Sequence, residues 1–73
     1  NPSPEEYTLR RELGREIQRA LLTLPHQQRL ALLLVDIQGL SYEEAAETME
    51  ASIGTLKSRL ARARAGMRDR LRL

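Results

Sequence analysis

The chain has 73 residues with no cysteine and a single histidine, so disulfides and clusters of thiolate or imidazole metal ligands are excluded. It carries 12 Lys and Arg against 10 Asp and Glu, and this charge is unevenly distributed. Residues 1–51 have five basic and nine acidic side chains, a net charge of −4, whereas residues 52–73 have seven basic and one acidic, a net charge of +6. A basic segment joined to an acidic remainder is typical of domains that bind nucleic acid.

The length and hydropathy of the chain predict one small soluble domain over residues 1–73. A chain of this size forms a single core, and its longest apolar run, residues 30–35, is too short to cross a membrane. The N-terminus lacks the features of a signal peptide. Because the sequence begins with Asn1, we expect it to be a processed product or a piece of a longer protein.

Capping signals and helical spacing of apolar residues predict two helices in the first half. Ser3-Pro4-Glu5-Glu6 has the pattern of a capping box with proline at the first helical position, which predicts a helix over residues 4–24 after frayed residues 1–3. Pro25 can open a second helix over residues 25–38, which Gly39 ends. Since this second segment is apolar nearly all round, we expect it to be the most buried helix.

The second half of the chain predicts a helix-turn-helix. Ser41-Tyr42-Glu43-Glu44 is another capping-box pattern, at the start of a short helix over residues 42–49. Ser52 can cap a fourth helix over residues 53–72, and two helices separated by about three residues form a helix-turn-helix. No segment has the alternation of a strand. The predicted fold is all-α, a four-helix domain containing a helix-turn-helix.

The fourth predicted helix has two different faces when residues are advanced by about 100° each. One is an apolar stripe that must pack on the other helices: Ile53, Leu56, Leu60, Ala63, Met67 and Leu71. The opposite face mixes small residues with hydrogen-bond donors: Gly54, Thr55, Lys57, Ser58, Ala61 and Arg62, with Arg59 at the margin. Small residues permit close approach to DNA, and Lys and Arg donate to guanine or phosphate, so this face is suited to the major groove.

Other residues have less distinctive patterns. The predicted core combines the apolar stripes of three helices: Leu33, Leu34, Ile37, Ala46, Leu56 and Leu60. His26 is expected to be an exposed residue and Asp36 a surface or capping carboxylate. The basic residues near the C-terminus fit a solvated tail, a phosphate clamp or a protein contact equally well: Arg68, Arg70 and Arg72.

Residues 24–70 resemble conserved region 4 of the sigma factors of bacterial RNA polymerase, especially the extracytoplasmic-function group. The matching segments are Leu24-Pro25, Asp36-Ile37-Gln38-Gly39-Leu40-Ser41-Tyr42, Glu44-Ala45-Ala46-Glu47, Gly54-Thr55-Leu56-Lys57-Ser58-Arg59-Leu60 and Arg62-Ala63-Arg64. Two positions depart from the family pattern. Glu50 stands in the turn where the family usually has glycine, and Ser52 stands where proline is frequent.

The resemblance implies that the fourth helix recognises the −35 promoter element and that the domain contacts the β flap of RNA polymerase. It also implies control by an anti-sigma factor. At the matching positions, Lys57, Ser58 and Arg62 are expected to read bases, and the expected backbone contacts are Thr55, Arg59 and Arg64. The expected protein is cytoplasmic and monomeric as a free domain. We expect no membrane contact, cofactor, metal or catalytic residue.

Two other functions remain compatible with the residues. A stand-alone transcriptional regulator would use the same helix in the same groove, usually as a dimer. A protein-interaction module would present the basic helix to an acidic partner. An enzyme is the least expected class, because the carboxylates lie on predicted solvated faces and no glycine-rich phosphate loop is present.

Overall fold

A computed structural model describes residues 3–71, which form four helices and no strand. Helix α1 spans Pro4–Thr23 and α2 spans His26–Leu32, continuing into a π-helical turn at Leu33–Ile37. Helix α3 spans Tyr42–Thr48 and α4 spans Ile53–Leu71. The predicted all-α class is therefore confirmed. The predicted fraying of Asn1 and Pro2 and the predicted inclusion of Arg72 in the last helix lie outside the described residues.

Serine side chains cap three of the helices. The hydroxyl of Ser3 accepts a backbone N–H from the first turn of α1 at 3.2 Å. Ser41 and Glu44 form a reciprocal capping box on α3, with N–H to side-chain oxygen distances of 3.0 and 2.9 Å, and these hydrogen bonds lower the pKa of Glu44. Ser52 accepts the N–H of Thr55 at 3.1 Å at the start of α4. These bonds satisfy N–H groups that have no partner inside the helix.

The core lies where α2, the π turn and α3 pack against α4. Its buried members are Leu24, Ala31, Leu32, Leu34, Ala45, Ala46, Leu56, Leu60 and Ala63. Four of the predicted core residues are among them, and the apolar run 30–35 is buried or half-buried throughout. The prediction was wrong for Ile37, which is 68% exposed, and Leu33 is only half-buried.

The π turn explains the exposure of Ile37. The N–H of Gln38 donates to the carbonyl of Leu33 at 2.9 Å, five residues earlier, instead of the four of an α-helix. This wider turn has more residues per turn than an α-helix. Ile37, which would lie near Leu34 on the core face of an α-helix, is therefore rotated away from the core. Gly39, with φ of 77°, then reverses the chain, and the N–H of Leu40 donates to the carbonyl of Leu34 at 2.9 Å.

The turn between α3 and α4 places a non-glycine residue in the left-handed region. Glu50 has φ of 53°. Its N–H donates to the carbonyl of Glu47 at 3.1 Å, and the N–H of Ala51 donates to that of Ala46 at 2.9 Å. This pair of bonds is the Schellman ending of a helix, which favours glycine at the position that Glu50 occupies. The departure at Glu50 therefore has a conformational cost.

Replacing Glu50 with glycine is expected to raise the free energy of unfolding by about 1 kcal/mol, since glycine adopts positive φ without a steric penalty. The matched control is Glu47→Gly inside α3, which is expected to lower stability by about 1 kcal/mol. Urea unfolding followed by circular dichroism measures both. A loss of stability in Glu50→Gly would contradict the left-handed turn.

The C-terminal end of α4 is tied to the end of α1. The guanidinium of Arg70 donates to the hydroxyl and carbonyl oxygens of Thr23 and to the carbonyl of Gly66. A Cβ at Gly66 would lie 2.8 Å from a methyl carbon of Leu24, so glycine lets the two helices approach closely. The guanidinium of Arg70 is thus used for contacts inside the domain, which the sequence did not indicate.

The N-terminal part of α1 extends beyond the core. Its apolar side chains are exposed, with Leu9 at 64% and Leu13 at 38%, and Ala20 is the residue of α1 that is buried. Only the C-terminal part of α1 therefore contributes to the packing that positions α4.

Candidate nucleic-acid interface

The exposed face of α4 presents the small and basic residues that the helical spacing predicted. Leu56, Leu60 and Ala63 are at most 1% exposed and fix one side of the helix against the core. The residues that point away from the core are all exposed: Gly54, Thr55, Lys57, Ser58, Ala61 and Arg62. Because the apolar stripe of α4 is buried in the core, the small and basic residues on the opposite side of the helix face the solvent.

The three residues expected to read bases share this face but have different surroundings. Ser58 and Arg62 lie one turn apart and are both exposed. Arg62 has no hydrogen bond or ion pair within residues 3–71. The ammonium of Lys57 lies 6.0 Å from the centre of the Tyr42 ring, at the outer limit of the range over which a cation is attracted to an aromatic face.

Of the three expected backbone contacts, Thr55 lies on the same face and Arg59 lies at its margin. Thr55 is exposed in the first turn of α4, where its hydroxyl accepts a hydrogen bond from the Ser52 hydroxyl at 3.0 Å. Arg59 is half-buried at the margin, and its guanidinium donates weakly to the side chain of Gln27 at 3.4 Å.

The third expected backbone contact, Arg64, forms an ion pair with Asp36. Its Nε donates to Oδ2 at 2.9 Å and its Nη2 to Oδ1 at 2.6 Å, so the contact is bidentate. The hydrogen bond from Arg64 lowers the pKa of Asp36, and the same bond raises the pKa of Arg64. Asp36 is exposed, as expected, but it joins the π turn to α4, a partnership that sequence spacing did not indicate.

Lowering the pH should reduce the free energy of unfolding because protonation of Asp36 breaks its ion pair with Arg64. Because the folded-state pKa of Asp36 lies below that of the unfolded chain, its contribution is complete well above pH 4 and is lost as the pH falls through the folded pKa. Asp36→Asn is expected to lower stability at pH 7 by a few tenths of a kcal/mol to about 1 kcal/mol, since the pair is partly exposed. In urea titrations the difference from the wild type should shrink as the pH is lowered below about 4, and a constant difference would contradict this.

A second surface lies between α1 and α2 and is mainly apolar. A groove there is lined by Gln18, Leu21, Leu22, Arg29 and Leu33. Leu22 is 71% exposed, and Arg29 reaches across to its backbone carbonyl at 3.5 Å. The groove therefore presents apolar side chains with Arg29 as its one charged lining residue.

Other kinds of site are not found in the described part of the chain. Residues 3–71 contain no cluster of three or more metal-ligating side chains. No helix in this range has the length and apolar content needed to span a membrane.

Two helices joined by a short turn, the second with a buried stripe and an exposed basic face, define a helix-turn-helix domain. The family model for sigma-70, region 4, matches residues 14–67, and the chain belongs to this family. Sigma factors are not known as enzymes.

The chain is 44% identical over 71 residues to the ECF RNA polymerase sigma factor SigE of Mycolicibacterium smegmatis, covering 97% of this chain and 28% of SigE. It is 42% identical over 62 residues to the ECF RNA polymerase sigma-E factor of Escherichia coli, covering 85% of this chain and 32% of that protein. The chain thus spans about a third of these relatives and corresponds to region 4 of an ECF sigma factor.

A solved structure has the same fold. The sigma factor RpoE from Bartonella quintana, in complex with the anti-sigma factor NepR, matches with a TM-score of 0.74 and 32% sequence identity. The match covers 94% of this chain and 59% of that chain. The predicted resemblance to sigma region 4 is confirmed.

Proposed function

We propose that this domain binds the −35 promoter element during transcription initiation, as part of an alternative sigma factor. Helix α4 enters the major groove. Lys57, Ser58 and Arg62 contact base edges, and Thr55, Arg59 and Arg64 contact the phosphate backbone. The observation that carries this proposal is the exposed face of α4 in a chain of the sigma region 4 family, where small side chains alternate with unneutralised basic ones.

The distribution of charge supports the same orientation. The first helix of the helix-turn-helix, α3, has exposed carboxylates at Glu43, Glu44 and Glu47. These groups repel phosphates, whereas the basic residues of α4 attract them, so only α4 is favoured in the groove. Asp36 uses two of the five N–H donors of Arg64, one on Nε and one on Nη2, so this ion pair does not by itself prevent a further contact to a phosphate oxygen.

Titration of labelled duplex DNA at several salt concentrations tests this function. The preferred duplex should bind more tightly than a scrambled duplex of the same composition. If Arg59 and Arg64 each neutralise a phosphate and release its counterion, the logarithm of the binding constant should fall with the logarithm of salt concentration with a slope of about −2. Equal binding to every duplex would contradict sequence recognition.

We also propose that the groove between α1 and α2 is the contact for the β flap of RNA polymerase, or for an anti-sigma factor that competes with it. The acidic remainder of the chain is kept off DNA by its own charge, and this groove holds the exposed Leu22. The related RpoE was solved with the anti-sigma factor NepR, which supports this form of control.

Leu22→Glu should weaken binding of core RNA polymerase or an anti-sigma factor by about tenfold or more, because it places a charge in an apolar contact. Leu9→Glu is the matched control, since Leu9 is a similarly exposed leucine on α1 outside the groove. Binding is measured by calorimetry. Equal effects of the two variants, or crosslinks from these partners only to residues 57–64, would contradict this docking surface.

The free domain is proposed to be a cytoplasmic monomer that needs no cofactor. Sedimentation equilibrium at micromolar concentration tests the oligomeric state. A stable dimer would instead favour a stand-alone regulator that binds two half-sites.

A further inference from the structure

Tyr42 lies at the start of α3 and faces α4. It is half-buried and packs against the hydrophobic core, so the position of its ring is fixed by the fold. The ammonium of Lys57 lies 6.0 Å from the centre of this ring. Arg64, two turns further along α4, also interacts with Tyr42, which contributes to the raised pKa of Arg64. Tyr42 therefore lies beside two cations of the helix.

The two cations are held in different ways. Arg64 is bound by a carboxylate, which compensates its charge. Lys57 instead forms a cation–π contact with the Tyr42 ring. Because this contact neither neutralises the ammonium nor uses its N–H groups as a hydrogen bond to a carboxylate would, the charge and the N–H donors of Lys57 remain available for DNA. A lysine side chain has a flexible four-carbon stem whose ordering opposes binding. A fixed aromatic surface reduces that cost before DNA arrives.

We propose that Tyr42 is a positioning residue that holds Lys57 in place for contact with a base edge. This inference rests on the proposed function of α4. It assigns to the first helix of the helix-turn-helix a part in sequence discrimination, although Tyr42 itself need not contact DNA.

The chain offers a matched set of variants. Tyr42→Leu removes the ring, whereas Tyr42→Phe keeps the ring and removes only the hydroxyl. Tyr7→Leu is the control, because Tyr7 forms a similar pair with Arg11, at 5.8 Å, on α1. The readout is the ratio of affinities for the preferred and scrambled duplexes, measured well below the thermal midpoint. A change in the folded fraction affects both affinities equally and leaves their ratio intact.

Tyr42→Leu is expected to lower this ratio about two- to fivefold, the range for an exposed cation and ring pair. Tyr42→Phe and Tyr7→Leu should leave the ratio unchanged. In the double variant with Lys57→Met, Tyr42→Leu should have no further effect, because its contribution acts through Lys57.

Several results would overturn the proposal. Additive effects of Tyr42→Leu and Lys57→Met would show that Tyr42 acts independently of Lys57, and a reduced ratio in Tyr42→Phe would indicate a direct role of the hydroxyl. Both results presuppose that the wild type prefers one duplex. If the wild type showed no preference, the proposed function of α4 would fail first, and this inference with it.

A measurement on the free protein keeps the proposal testable if Tyr42→Leu does not fold. Lys57 is the single lysine in the sequence, so labelling with ¹³C-lysine gives one set of side-chain signals. Its ε-methylene protons should be shifted upfield by the ring in the wild type and in Tyr42→Phe. Random-coil shifts in these two folded proteins would overturn the proposal.

Discussion

Leu56→Ala is expected to lower the free energy of unfolding by about 2–5 kcal/mol, the cost of removing a fully buried leucine and leaving a cavity. Leu56 is 0% exposed and lies on α4 where it packs against the other helices of the core. Domains of this size have a total stability of only about 4–10 kcal/mol. The substitution should therefore remove about half of that stability and lower the melting midpoint by about 10 °C or more.

Thermal melting followed by far-ultraviolet circular dichroism measures this effect. Leu9→Ala is the control, since Leu9 is 64% exposed on α1 and its loss should change stability by no more than about 0.5 kcal/mol. An unchanged midpoint in Leu56→Ala would show that α4 packs through another face, and the exposed face assigned to DNA would then be wrong.

Arg62→Ala is expected to weaken binding to the preferred duplex by about 1–3 kcal/mol and to relax preference at one or two base pairs. Arg62 is exposed on the same face as Ser58, and its side chain is long enough to reach a base edge. Its loss should therefore reduce the ratio of affinities for the preferred and scrambled duplexes. The loss of its charge should also weaken binding to both duplexes.

Arg68→Ala is the control for charge. It removes the same charge from an exposed position on another side of α4. Its effect should be similar on all duplexes, with little change in their ratio. Titrations of both variants at several salt concentrations give the comparison. If Arg62→Ala weakened both duplexes equally and kept their ratio, base reading could not be assigned to Arg62.

Local signals in the sequence were sufficient for the starts of the helices and for the two faces of α4, except that Ile53, expected on the packed face, is 39% exposed. Capping serines, the punctuation at Pro25 and Gly39, and the spacing of Leu56 and Leu60 act over a few residues, and each can be recognised directly. The exposed orientation of Arg62 followed from the same periodicity, because burying one stripe of a helix leaves the opposite side in water.

Features that depend on packing between distant segments were not predictable in this way. The π turn rotates Ile37 out of the core, and no local sequence pattern predicted the π turn. The pairing of Asp36 with Arg64 joins positions 28 residues apart, and that of Arg70 with Thr23 joins positions 47 apart. Residue types alone indicated neither partner.

The same reason limits prediction of the candidate site. Periodicity placed Lys57 on the exposed face, but its contact with Tyr42 depends on the angle at which α3 meets α4. The turn that sets this angle contains Glu50 at positive φ. The sequence shows that Glu50 replaces the usual glycine, but it does not show which backbone conformation Glu50 adopts.

Selection of bound duplexes from a random DNA pool is the sharpest test of base recognition by α4. The wild-type domain should enrich one short motif, and a variant with Lys57, Ser58 and Arg62 all replaced by alanine should fold normally but lose that enrichment. Circular dichroism establishes that both proteins are folded. Selection of no motif by the folded wild type, or of the same motif by the triple variant, would contradict base recognition by this face of α4.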